Sequence, residues 1–222
     1  MSNNKIMIFG SSGHAKSIAD ILERLNYEIV GFIDSFKPVG QKVLNYKTIG
    51  DEKVLGNCLK VFGTNQLAMG IGDILNRKNI VKKLKSINSE IIFPTIISPD
   101  AYVSKYSSLG EGTVVFSSSF INVECEIGRF CVINSSSILE HNTKIDSFCT
   151  ISPGVNIGGD VRINGSTFIG SSATIIQKIK IGNNVVIGAG AVVTSNVPNQ
   201  VLMAGIPAVI KKTNYTNMNI FS

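Results

Sequence analysis

IGRFCV INSSSI LEHNTK IDSFCT ISPGVN IGGDVR (residues 127–162) decides the fold, because every block of six begins with an aliphatic residue. Extended in both directions the register holds without a break through Ile97, Val103, Leu109, Val115, Ile121, Ile127, Ile133, Leu139, Ile145, Ile151, Ile157, Ile163, Ile169, Ile175, Ile181, Ile187 and Val193, seventeen hexads in all. Four residues after each aliphatic stands a small one (Thr113, Ser119, Cys125, Cys131, Ser137, Thr143, Cys149 and their counterparts), and only Ile179 is large. A period of six fits neither an α-helix nor a long alternating strand. Short strands separated by turns do return the same position inward at every hexad. The residues from 97 onward therefore read as a solenoid.

If three hexads close one triangular coil, as in the hexapeptide-repeat proteins that the register resembles, seventeen hexads stack into nearly six coils. At the parallel-strand spacing of about 4.8 Å the prism stands roughly 25 to 30 Å tall. Cys125, Cys131 and Cys149 fall in the small-residue slot, which gives them a packing role. With Cys58 they form no CxxC pair and have no nearby histidines, so reduced thiols are expected, with no disulfide framework and no metal site.

Before residue 97 the pattern changes to short apolar runs alternating with helical periodicity. Lys5–Gly10 (KIMIFG) reads as a buried strand, followed by a helix with Ala15, Ile18, Ala19, Leu22 and Leu25 on one face. Glu28–Asp34 is a second strand and residues 66–72 (QLAMGIG) a third. Ile80, Val81, Leu84 and Ile87 mark a second helix, and Glu90–Thr95 resumes strand. The alternation implies a small parallel α/β sheet in a domain spanning 1–96, with the β-helix spanning 97–222. Ligands of such sheets sit beyond the carboxyl ends of the strands, here the loops Gly10–His14, Asp34–Lys37 and Gly72–Asp73. GSSGHAK opens a helix, whose free N–H groups suit a phosphate or ribose hydroxyls, though the loop serves equally as a structural turn. Asp34 serves equally to cap its own turn.

Composition narrows the functions. Residues 1–96 carry 13 Lys and Arg against 8 Asp and Glu, which favours anionic ligands, while the remainder is close to balanced. There are no basic runs interleaved with aromatics, so nucleic acid is not an expected partner. No long uncharged apolar stretch suggests membrane insertion. MSNNKIMIFGSSGH lacks the apolar region and small-residue cleavage site of a secretory signal, so the expected location is cytoplasmic.

With FGSSGHAK, FIDSFK, GIGD, ILEHNTKI, GAGAVVTSNVP and AGIPA in view, the chain resembles the bacterial sugar acyltransferases that include sialic-acid O-acetyltransferases and nucleotide-linked 4-amino-sugar N-acetyltransferases. The resemblance covers nearly the whole chain. It implies a Rossmann-like N-terminal domain, a left-handed coil, a homotrimer and acetyl-CoA as acetyl donor in the cleft between prisms, with no metal. By position His141 matches the family's catalytic histidine, followed by Asn142. Thr150, Ser171 and Ala189 match acetyl-CoA contacts, while Ser12, Gly13, His14, Asp34, Ser35 and Gly72 match the pocket for a nucleotide-linked amino sugar. The chain departs from the pattern twice. Relatives often carry an acidic residue where this chain has Asn142, which leaves Glu140 as the candidate to supply charge, and many carry a second histidine at the place of Thr150.

His141 lies two residues after Leu139 and so projects outward at a coil corner. Imidazole, with an ordinary pKa near 6.5, suits removal of a proton from an attacking amine or hydroxyl near neutral pH. A backbone N–H of a neighbouring coil is the expected oxyanion donor. Lys178, Lys180, Lys211 and Lys212 are available to meet CoA phosphates. A γ-type carbonic anhydrase, which uses a similar prism, is excluded because its zinc needs several histidines and the chain holds only His14 and His141. The expected activity is N-acetylation of a nucleotide-linked deoxyamino sugar for surface-glycan assembly. The alternatives are O-acetylation of sialic acid and a catalytically silent sugar-nucleotide scaffold.

Overall fold

A computed structural model describes residues 4–214. The tail after Lys212, for which the sequence suggests a cap on the last coil or a frayed end, falls beyond Asn214 outside the described residues. The chain divides into two compact units, Met1–Pro99 and Asp100–Ser222.

The first unit is built on β1 (Lys5–Phe9), α1 (Gly13–Arg24), β2 (Glu28–Ile33), β3 (Lys42–Val43), β4 (Tyr46–Gly50), α2 (Leu55–Phe62), β5 (Leu67–Met69) and α3 (Ile74–Ile87), with a short β6 (Ile96–Ile97). The sheet order is β3-β4-β2-β1-β5. Its β4, β2, β1 and β5 run parallel, and β3 pairs antiparallel to β4. Ile6, Met7 and Ile8 are fully buried, and α1 lays Ala15, Ile18, Ala19 and Leu22 inward. Each large aliphatic side chain so buried contributes about 1.5–3 kcal/mol.

Two expectations need correction. Glu90–Thr95 is not a strand: only Ile92 reaches β5, through a single bridge to Gln66. Pro94 supplies no N–H and restrains Phe93, which stops the pairing there. The third strand closes at Met69, since Gly70 is pressed against Ala15 and the Phe9 carbonyl, 2.6 Å from where a Cβ would stand, and the chain turns away. The β3–β4 hairpin and α2 carry signals the reading did not take up. Leu55, Cys58, Leu59 and Phe62 share a helical face, and Gly63 ends the helix at φ 64°.

In the second unit each hexad contributes a two-residue strand ending on the register aliphatic. These strands stack, coil upon coil, into three parallel faces at a period of 18 residues. Face one holds β7 (Tyr102–Val103), β10 (Phe120–Ile121), β13 (Ile138–Leu139), β16 (Asn156–Ile157), β19 (Thr174–Ile175) and β22 (Val192–Val193). Face two holds β8 (Ser108–Leu109), β11 (Glu126–Ile127), β14 (Lys144–Ile145), β17 (Arg162–Ile163) and β20 (Lys180–Ile181). Face three holds β9 (Val114–Val115), β12 (Val132–Ile133), β15 (Thr150–Ile151), β18 (Phe168–Ile169), β21 (Val186–Ile187), β23 (Leu202–Ala204) and an antiparallel β24 (Val209–Lys212). From Gly112 to Gly190 the third residue after every aliphatic turns with positive φ, between 54° and 69°.

The small-residue slot does more than fit. The side-chain oxygens of Ser107, Thr113, Ser119, Thr143 and Thr167 donate to the carbonyls of Asn122, Gly128, Asn134, Gly158 and Gly182, always fifteen residues on. Cys125, Cys131 and Cys149 use their thiols in the same way toward Glu140, Asp146 and Asn164 at 3.2–3.3 Å. The slot thus satisfies corner carbonyls that the strand ladder leaves over. Thr167 also accepts from the Val185 N–H at 3.2 Å. Thr167→Val, of nearly equal volume, strands both backbone groups and is expected to lower stability by about 2 kcal/mol. Denaturant titration checks this, and an unchanged midpoint would mean that the slot selects for size alone.

Candidate functional site

The candidate residues of the first unit gather at one end of its sheet, whereas those of the second fall at two separate places. In the first unit β1 and β2 deliver their carboxyl-end loops side by side. The Ser11 hydroxyl donates to Asp34 Oδ2, and the Phe36 N–H donates to Asp34 Oδ1 at 2.9 Å, so both oxygens of this carboxylate are held. Lys37 Nζ donates to the Ser11 carbonyl at 3.0 Å, placing a cation in the loop beside it. Ser35 donates to Glu52, which also pairs with Lys83 at 2.7 Å. Ser12 stands exposed at the N-cap of α1 and makes no cap bond with its side chain. Gly72 lies against His14, and a Cβ on it would stand 3.7 Å from His14 Cβ and Cγ.

Under this cluster lies Arg77, only 1% exposed. Its Nη1 donates to the carbonyls of Ile71 and Gly72 at 3.1 and 2.5 Å, fixing the GIGD turn from beneath. Sequence reasoning missed Arg77, Ser11 and Lys37. Arg77 looks like any exposed helix cation until its burial is known, whereas Ser11 and Lys37 sit within the motifs quoted above.

Burial drives the His14 pKa down to about 4, and the Arg77 guanidinium pushes the same way. The ring is neutral at pH 7 and can both donate and accept. An unfolded chain protonates this histidine near pH 6.5 and the folded chain only near 4, so His14 favours folding above pH 6.5 and that contribution is lost as pH falls toward 4. At pH 5 the loss is about 2 kcal/mol. Thermal melts at pH 7 and pH 5 are expected to differ less for His14→Gln than for the wild type. Equal differences would assign the acid sensitivity to other groups.

In the second unit His141 occupies the corner between faces one and two, with Leu139 buried and the imidazole exposed. Its Nδ1 lies 2.8 Å from Asn142 Oδ1, and Asn142 Nδ2 donates to Glu124 Oε2 at 2.6 Å. On the other side of the ring column, Asn122 Nδ2 donates to Glu140 Oε2 at 2.7 Å. Glu140 is therefore engaged with Asn122, and the carboxylate that reaches Asn142 is Glu124, one coil below. The space over Gly159 is filled by the imidazole itself: a Cβ there would stand 2.6 Å from His141 Cε1 and 2.7 Å from Nε2. Gly159 is thus what leaves room for the ring against the next coil.

Ser171 and Ala189 stack in one column of the corner between faces three and one, and the Gly190 N–H donates to the Ser171 carbonyl at 2.8 Å. Thr150 belongs to face three and is only 7% exposed. One copy of the chain therefore does not bring His141 together with these three. Ser171 and Ala189 are separated from His141 by the width of face one, up to roughly 20 Å for six residues at 3.3 Å each, and Thr150 lies on face three. That face exposes Tyr102 and Phe120, stacked at 4.9 Å, and Ile138. A groove of about 470 Å³ runs along face two, lined by Glu126, Lys144, Asp146, Arg162 and Asn164 among others, and contains none of the candidate residues. Among the described residues no cluster of His, Cys, Asp or Glu could hold a metal ion, and no helix is long and apolar enough to cross a membrane.

Comparison with known proteins agrees with this layout. Residues 5–84 match the PglD N-terminal domain, and residues 160–195 match the bacterial transferase hexapeptide (six repeats). No curated protein matches the chain by sequence. Among solved structures, a histidine-to-asparagine variant of perosamine N-acetyltransferase from Caulobacter crescentus, in complex with CoA and GDP-perosamine, superposes with a TM-score of 0.88 at 29% identity, covering 94% of this chain and 97% of that one. The acetyltransferase domain of PglB from Neisseria gonorrhoeae, in complex with acetyl coenzyme A, gives 0.86 at 28% identity over 94% and 100%. WeeI from Acinetobacter baumannii shares the fold, with a TM-score of 0.81 at 23% identity over 92% and 98%. One family thus matches the N-terminal unit and another part of the repeat, and structural likeness to CoA-dependent amino-sugar acetyltransferases runs along nearly the full length of the chain.

Proposed function

We propose that this protein transfers an acetyl group from acetyl-CoA to the amino group of a nucleotide-linked deoxyamino sugar, with His141 as general base. The observation that carries the reading is His141 itself, an exposed imidazole held on one side by Asn142 and seated on Gly159, in a fold that superposes on an N-acetyltransferase holding CoA and GDP-perosamine. Acetyl-CoA, when bound, supplies an activated acetyl carbonyl. His141 Nε2 accepts the amine's proton as nitrogen attacks, then returns it to the departing thiol.

Ser171, Ala189 and Gly190 are small and exposed, and a Cβ at Gly190 would meet nothing within 4 Å, which fits close approach of a pantetheine arm. Thr150 borders the same corner, and the exposed Lys178, Lys180, Lys211 and Lys212 offer cations for the phosphates. On this reading the coil is left-handed and the protein a homotrimer. The support for the homotrimer is that His141 and the candidate donor contacts Ser171 and Ala189 sit at opposite edges of face one, so a second copy completes the site and covers Tyr102, Phe120 and Ile138. The N-terminal unit acts as a Rossmann-like nucleotide site in which Ser12, Gly13, neutral His14, Asp34, Ser35 and Gly72 receive the nucleotide-linked sugar. Surface-glycan assembly in the cytoplasm is the corresponding role.

Acetyl-CoA consumption by wild type and His141→Ala tests the proposal against UDP-, dTDP- and GDP-linked 4-amino sugars, with sialic acid in the same panel. Turnover of an amino sugar that falls about 100-fold or more in the variant is the expected outcome. Acetylation of sialic acid alone would replace N- with O-transfer, and undiminished turnover by His141→Ala would remove the general base.

A further inference from the structure

We propose that Glu124 is a positioning residue, one coil away from His141, that sets the tautomer of the imidazole by turning the Asn142 amide. The inference rests on His141 being the general base. An amide beside a histidine does not by itself decide where the ring proton sits. Its carbonyl end calls for a proton on the facing nitrogen, its NH2 end calls for a lone pair, and either end can face the ring. The third group in the chain removes this freedom. An ionised carboxylate has lone pairs and no proton to give, so the end of Asn142 that lies 2.6 Å from Glu124 Oε2 must be the NH2 group. The carbonyl end then faces His141 Nδ1 at 2.8 Å, and Nδ1 must carry the proton. Nε2 is left with its lone pair, the state in which imidazole can take a proton.

A carboxylate at position 142 would need no such help, because both of its oxygens accept. The amide at 142 does, and the carboxylate that reaches it is Glu124, while that of Glu140 is turned to Asn122. Gly159 leaves room for the Cε1–Nε2 edge of the ring, and a ring turned end for end would set Cδ2 against the Asn142 carbonyl and lose the 2.8 Å hydrogen bond. Glu124 lies within reach because residues 18 apart stack in one column, and its corner and that of Asn142 share the same left-handed backbone, φ 58° and 61°.

The test reads the tautomer directly. The chain has two histidines, so imidazole 15N spectra at pH 8 contain two rings, and His141→Ala assigns them. The wild type is expected to show His141 protonated at Nδ1. Glu124→Ala is expected to admit the Nε2–H form. Glu124→Lys is expected to invert the preference, since an ammonium donates to Asn142 Oδ1 and turns the NH2 end toward the ring. Lysine is accommodated at this corner, as Lys178 occupies the same column with φ 63°. With the amino sugar turned over best in the panel, kcat should fall about 10-fold in Glu124→Ala and about 100-fold in Glu124→Lys, with KM for acetyl-CoA within twofold of wild type. An Nε2–H ring in the wild type, or a tautomer unmoved by both substitutions, overturns the inference and leaves His141 as base. Full turnover in His141→Ala instead removes the base, and with it the catalytic meaning of Glu124, whatever the spectra show.

Discussion

Apart from tight turns at its corners, the backbone of each coil hydrogen-bonds to the coils above and below it, and much else in the second unit follows from that arrangement. The strand pairs are two residues long, so most of each turn lies outside the ladder and its polar groups need other partners. The slot hydroxyls and thiols supply them, each reaching the carbonyl fifteen residues on. Serine, threonine and cysteine recur there for one reason: each combines small volume with a side-chain hydrogen that a carbonyl can accept. With the interior filled in this way, chemistry is left to the corners and outer faces.

The two histidines divide along this line. His14 sits low in its loop cluster beside a buried arginine and remains neutral far below neutral pH. Such a ring can shape a pocket and exchange hydrogen bonds, but it is a poor base. His141 is exposed at a corner, where its acceptor partner, its glycine seat and the column below it are all fixed by the coil repeat. On the proposed reading, the contrast gives binding to the histidine of the first unit and proton transfer to that of the second.

What was legible in the sequence is what periodicity encodes. The hexad register alone places Leu139 inward and His141 outward, and the alternation of strand and helix brings the Ser11 and Asp34 loops to one edge of the sheet. Two kinds of information were hidden. Arg77 becomes informative only through burial, which its helix position does not reveal, and the β3–β4 hairpin is too short for a two-residue period to register. Glu124 is a different case. Its contact with Asn142 follows from the 18-residue coil, but motif comparison looks to the immediate neighbours of a histidine and so points to Glu140, whose carboxylate turns to Asn122. Reading down the column of a solenoid, rather than along its chain, is what finds the partner.

Every corner residue in the left-handed region carries a strain of about 1–2 kcal/mol unless it is glycine, with asparagine and aspartate the least affected. At the corner between faces two and three, Phe130 and Phe148 bear this strain and also stack at 5.3 Å, with Phe130 buried. Burial of an aromatic side chain contributes about 1.5–3 kcal/mol, and the stacking adds about 0.5–1.5, so packing outweighs the backbone term there. The corresponding column at the His141 corner is Glu124, Asn142, Asp160 and Lys178, and none of these is buried. Asn142 and Asp160 are residue types the left-handed region tolerates, but Glu124 is not, and no apolar contact offsets its strain. Its exposed carboxylate gains a single hydrogen bond to an amide, worth about as much as the strain and no more. Stability alone therefore gives glutamate no advantage over glycine or asparagine at this corner, whereas an acceptor-only group that holds the amide of Asn142 in one orientation does.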